Sequence, residues 1–117
     1  IGRHLEEARA VVFPSRWYET QGLTPLEAAA RGVPTLCADT CAATENTIDG
    51  ETGITFPRSD RECILAALLK VKNDELVSKL SRNVYNRFWA GAFDREAHAD
   101  RLLNLYRSCK AGIGTDQ

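Results

Sequence analysis

Three short apolar runs interrupt a chain that is otherwise helical in pattern, and their order constrains the fold more than any other feature. Residues 10–13 (AVVF), 33–38 (VPTLCA) and 53–56 (GITF) are short and largely apolar, the first of them β-branched, which reads as buried strands. Between the first two lies a strongly punctuated helical segment. Thr24 suits an N-cap, Pro25 the first helical position, and Glu27 stands three residues after the cap. Ala28, Ala29 and Ala30 propagate this helix and Gly32 ends it. Pro34 falls at the start of its strand, where a missing N–H is tolerated. Helical pattern also covers residues 2–9, 59–72, 74–88 and 94–110, the last capped by Asp94. Leu76, Leu80, Val84 and Phe88 recur every four residues. Residues 39–50 read as a polar loop with a helical turn at 43–48, and 111–117 as a frayed tail. Short apolar strands alternating with helices imply parallel strands joined by right-handed crossovers. The expected architecture is α/β: half of a doubly wound, Rossmann-like parallel sheet of about three strands flanked by helices, with residues 1–117 forming a single partial domain.

Composition narrows the function. A chain of 117 residues, 44% hydrophobic and 26% charged, is one globular domain or less. Fifteen Lys and Arg against 16 Asp and Glu leave no one-sided basic field to draw nucleic acid or an anionic membrane. No apolar run approaches the roughly 20 residues that span a bilayer, and no charged-then-apolar leader opens the chain. The chain carries no Met and opens at Ile1 inside a helical pattern, so we expect a piece of a larger domain. The 10–13 strand would be central in a complete sheet, yet one of its edges has no visible partner, which invites self-association. Cys37, Cys41, Cys63 and Cys109 are even in number, but disulfide frameworks belong to small, loop-rich secreted chains. The Cys37–Cys41 spacing lacks a further Cys or His to complete a metal site. The expectation is reduced thiols, a cytoplasmic location, and no metal or cofactor.

The stretch that carries chemistry is residues 14–27, PSRWYETQGLTPLE. It follows the carboxyl end of a parallel strand, where open α/β sheets bind ligands. Gly22 precedes a helix N-terminus, so its backbone can aim N–H groups at an anion that the helix dipole also favours. Glu19 and Glu27 flank this cradle with seven residues between them, and a carboxylate accepts several hydrogen bonds from sugar or ribose hydroxyls. Read alone, the same residues have a structural account. Glu27 completes a capping box with Thr24, Glu19 is a solvated loop residue, and Gly22 is a turn before a helix.

The run PSRWYETQGLTPLEAAARGVPTLCAD resembles the family 4 retaining glycosyltransferases of the GT-B fold. Their second domain carries a PS-x-x-E…G-hydrophobic…E-A-x-A-x-G-x-P signature, matched here by Pro14, Ser15, Glu19, Gly22, Glu27, Ala28, Gly32 and Pro34, with one more residue between Ser15 and Glu19 than that pattern has. ATENTIDGETGITFP is similar to the family's E-x-I-x-D-G-x-T-G stretch, and Leu102, Leu105 and Tyr106 to its closing helix. The resemblance implies a domain that binds a nucleotide-sugar donor. Glu19 would position the donor hexose as the catalytic carboxylate. Amides around Gly22, Leu23 and Thr24 would meet the sugar hydroxyls and distal phosphate, and Glu27 the ribose hydroxyls. The helix after Gly22 would stabilise the leaving diphosphate without a metal. The acceptor, and any peripheral membrane contact, would belong to an N-terminal domain outside this chain.

Two departures are visible. Thr20 and Gln21 stand where the family often has a small residue and an aromatic, which bears on donor identity. The resemblance implies that the family's phosphate-clamping Arg and Lys would lie ahead of Ile1, and it assigns that role to neither Arg16 nor Arg31. Elsewhere, Trp17 and Tyr18 read as packing their loop onto the domain and Trp89 and Phe93 as packing a helix junction. His4 and His98 read as surface residues without triad partners. Glu45 aligns with a family glutamate near the nucleoside, or is solvated. Two rival functions share these features: a non-catalytic nucleotide-sugar or protein-interaction module, and another GT-B enzyme such as a sugar-nucleotide epimerase.

Overall fold

The computed structural model describes residues 2–15, 17, 22–91 and 95–113. In chain order the elements are α1 (Gly2–Glu6), β1 (Val11–Phe13), α2 (Leu23–Ala29), β2 (Thr35–Ala38), a 3-10 turn (Ala42–Glu45), β3 (Gly53–Phe56), α3 (Arg61–Lys70), α4 (Asp74–Ala90) and α5 (Arg95–Ile113). The three strands form one parallel sheet in the order β1-β2-β3. Val11 pairs with Thr35 and Phe13 with Cys37, while Thr35 pairs with Gly53 and Ala38 with Phe56. All three strand ends, and the segments that follow them, therefore lie at one end of the sheet.

Strand alternation sorts the side chains to two faces. Leu36, Ala38, Ile54 and Phe56 form one buried face with Ala67 of α3 and Leu80 of α4. Leu36 and Leu80 are almost fully buried, and each such leucine contributes about 2 kcal/mol through removal from water. The other face carries two smaller clusters. Leu5, Ala28 and Val33 gather there with Val11, and Cys37, Cys41 and Ala43 with Phe13. The residues expected as a buried strand at 10–13 are only partly covered: Val12 is 41% exposed. Val12 shares the face of Leu36 by register, but α3 and α4 pack chiefly over β2 and β3, leaving β1 uncovered on that side.

Helix ends show how local chemistry sets boundaries. The α2 helix stops in a Schellman arrangement. Gly32 takes φ 72°, the Gly32 N–H donates to Ala29 O, and the Val33 N–H donates to Ala28 O. The Trp89 indole donates to Ala30 O at 3.2 Å, serving a carbonyl that the helix leaves unpaired. This ties α4 to the end of α2, while the ring itself stays largely exposed; Phe93, its expected companion at a helix junction, lies outside the described residues. Asp60 caps α3 by accepting from the Glu62 and Cys63 N–H groups. The Cys63 N–H and then its thiol hold the Asp60 carboxyl below its ordinary range. That cap is present above the usual carboxylate pKa and is lost as pH falls through the depressed value. Asn73 caps α4 in the same way. The α5 side chains from Glu96 to Lys110 are exposed except for half-buried Ala97. This helix continues to Ile113, into the stretch read as a tail, and the expected cap Asp94 lies outside the described residues.

The DGETG stretch is architectural. Ile48 O accepts from the Thr52 and Gly53 N–H groups, and Asp49 Oδ1 accepts from the Thr55 N–H. From α4, Lys79 donates to Gly50 O and Asn83 to Glu51 O. Gly53 begins β3 so close to β2 that a Cβ there would sit 2.3 Å from Thr35 O and 2.6 Å from Thr47 Cγ2. Gly53→Ala is expected to destabilise the chain by about 3 kcal/mol, read as a lower urea midpoint. An unchanged midpoint would mean that the β2–β3 approach is not fixed as described.

Candidate functional site

Of the five residues expected to form a donor site, Gly22, Leu23, Thr24 and Glu27 fall on the first turns of α2, just beyond the carboxyl end of β1. Glu19, together with Arg16, Tyr18, Thr20 and Gln21, lies outside the described residues. Leu23 is 66% exposed, Glu27 is exposed and Thr24 is half-buried. On a helix Leu23 and Glu27 share one face, here the face turned away from the buried Pro25, Ala28 and Ala29. The N–H groups of Leu23 and Thr24 have no partner within the helix, and Pro25 contributes none.

The capping-box expectation is wrong. The N-cap is Gly22, at φ −85° and ψ 104°, and among the described residues no side-chain hydrogen bond caps α2. Thr24 is the second helical residue and Pro25 the third, a position still within the turn whose N–H groups are unpaired, so proline is tolerated there. Glu27 is thereby freed from the structural role that competed with ligand binding. The helix start is closely packed. A Cβ on Gly22 would lie 3.2 Å from Phe13 Cζ and 3.3 Å from Pro25 Cδ. The aromatic floor was not singled out from the sequence, because Phe13 reads there only as the end of an apolar run.

Around this start, Phe13 packs with Cys37, Cys41 and Ala43. All four cysteines are free thiols, Cys37 and Cys41 buried. Burial, reinforced by Cys41, pushes the Cys37 thiol up to about 12, so the floor of the site is neutral in ordinary buffers. Thr40, just past β2, has a buried hydroxyl without a hydrogen-bond partner. Asp39 Oδ1 accepts from the Arg58 N–H at 3.0 Å, joining the segments after β2 and β3. Arg31 bonds Glu27 O at the far end of α2 and reaches toward Gly2, away from the helix N-terminus. Glu45 is exposed on the 3-10 turn. Trp17 was expected to pack its loop down, but it is 80% exposed. Among the described residues no three His, Cys, Asp or Glu side chains converge on a common point, and no helix is long and apolar enough to cross a membrane.

The fold as a whole is shared by known proteins. Residues 1–87 match the family described as glycosyl transferases group 1, and the chain belongs to that family. It is 31% identical over 108 residues to a glycogen synthase of Mycobacterium tuberculosis, covering 92% of this chain and 26% of that protein. Among solved structures it resembles a sucrose-phosphate synthase from Thermosynechococcus elongatus, with TM-score 0.78, 30% identity, and coverage of 93% of this chain and 27% of the other. It also superposes on the Anabaena protein HepE in complex with UDP, with TM-score 0.78, 16% identity, and coverage of 91% and 29%, a likeness of fold. The chain thus spans about a quarter of the length of these relatives. The fold is that of a GT-B, Rossmann-like glycosyltransferase domain, with three parallel strands in an open sheet flanked by helices.

The position of Thr24 gives a direct check on the helix start. Thr24→Ala is expected to change stability by less than about 0.5 kcal/mol. Loss of a capping threonine costs about 1 kcal/mol, and a loss of that size in urea unfolding would restore the capping box.

Proposed function

We propose that this chain is the donor-binding part of a retaining glycosyltransferase, which moves a sugar from a nucleotide-sugar to an acceptor hydroxyl. The observation that carries this reading is the coincidence of a family motif with a suitable place in the fold. Gly22, Leu23, Thr24 and Glu27 open a helix at the carboxyl end of a parallel strand, where α/β sheets take nucleotides. Solvent-facing Glu27 is free to accept hydrogen bonds from ribose hydroxyls. The amides of Gly22, Leu23 and Thr24 meet the sugar hydroxyls and the distal phosphate. Glu19 orients the hexose as the catalytic carboxylate. As the bond from C1 to the phosphate oxygen breaks, negative charge grows on the diphosphate, and amides aimed at it lower the barrier. The acceptor oxygen bonds to C1 on the face the leaving group vacates, and its proton passes to the leaving phosphate oxygen. The configuration at C1 is therefore kept. No metal takes part in this scheme, and the reaction runs in the cytoplasm.

The acceptor is held by a part of the protein outside these residues, in keeping with a chain that spans 26% of its glycogen synthase relative. The 117 residues alone therefore bind donor without transferring sugar. Calorimetry with UDP-, GDP- and ADP-sugars tests this, since one nucleotide class should bind and Glu27→Ala should weaken it about tenfold or more through lost charge-assisted hydrogen bonds. Tight donor binding that Glu27→Ala leaves unchanged would contradict the assigned role, and sugar transfer by the isolated chain would overturn the division of labour.

A further inference from the structure

We propose that Phe13 is a positioning residue for the donor site, setting where the Gly22, Leu23 and Thr24 amides stand relative to the sheet; the inference rests on the donor reading above. Phe13 ends β1 and pairs in register with Cys37. Its ring packs with the buried Cys37, Cys41 and Ala43 on one side of the sheet. The ring tip then meets Gly22, whose absent Cβ would lie 3.2 Å from Phe13 Cζ and 3.3 and 3.4 Å from the Pro25 ring. Glycine is not required there by conformation, because φ −85° is open to any residue. The close approach alone accounts for it. Gly22, the N-cap residue, has no side chain with which to cap α2, and in this proposal the wedge of Phe13, Gly22 and Pro25 sets the helix start. Phe13 touches no donor in this account and acts through the backbone it supports.

The reciprocal fit gives the test. Gly22→Ala forces the N-cap or the ring to move by a few tenths of an ångström. Misplacement by 1 Å costs about 100-fold, so donor affinity should fall about fivefold. Phe13→Leu withdraws the ring tip and lets the helix start settle inward, with a loss of about fivefold as well. In the double variant leucine makes room for the new methyl group, so the combined loss should stay near fivefold rather than reach about 25-fold. Leu23 and Thr24 amide resonances of the donor-free chain should move in both single variants. Urea midpoints are measured alongside, because a purely structural Phe13 would lower the midpoint while leaving the affinity of the folded chain unchanged. Multiplying losses, or unmoved Leu23 and Thr24 resonances, would overturn the proposal. If the wild-type chain bound none of the UDP-, GDP- and ADP-sugars, the donor reading would fail, while the amide resonances would still decide the Phe13 contact.

Discussion

Everything in this fold is placed by β2. Its four residues, Thr35–Ala38, are all buried, and its backbone pairs with β1 on one edge and β3 on the other. A parallel strand bonded on both edges and covered on both faces admits no slip, because a shift of one residue would exchange Leu36 with Thr35 or Cys37 between two differently shaped clusters. The large cluster under α3 and α4 then follows from Leu36 and Ala38, and the smaller ones toward α2 and the 3-10 turn follow from Val33 and Cys37. Gly53 reinforces this, since only a residue without a side chain lets β3 approach Thr35 O.

The candidate site inherits its geometry from that register. Phe13 is held by its pairing with Cys37, Gly22 rests on Phe13, and α2 starts from Gly22. At the helix start the first N–H groups of α2 have no partner within the helix, and Glu27 is exposed. A glycine N-cap has no side chain to engage those amides. Beneath it lies an apolar floor whose Cys37 thiol stays neutral through burial, so the electrostatics of the site belong to the helix start and the carboxylates.

The parts of this structure legible in the sequence are those governed by local pattern. The 53–56 run became β3 with unchanged bounds, and the four-residue spacing of Leu76, Leu80, Val84 and Phe88 marked α4. Gly32 at the end of α2 was legible because a left-handed C-terminal position has a strong local signature. The errors arose where distant residues decide. Thr24, Pro25 and Glu27 form a persuasive local capping pattern, yet α2 starts upstream of it, from Gly22, where the backbone lies close to the Phe13 ring. Val12 belongs to a β-branched run, but its burial depends on helices that pack elsewhere. Ser59 adopts φ 67° before α3, a conformation that nothing in its residue type announces. The candidate site rests on a motif, while the approach of Phe13 to Gly22 has no sequence signature, because an aromatic at the end of a strand reads equally as core.

The central claim is one of location: a nucleotide-sugar docks at the carboxyl end of β1. An amide NMR titration of the chain with UDP-, GDP- and ADP-sugars reads that location residue by residue. The account predicts that one donor shifts the Gly22, Leu23, Thr24 and Glu27 amides while those of α4 and α5 stay fixed. Saturable shifts centred on α4 or α5, with the start of α2 unmoved, would contradict it.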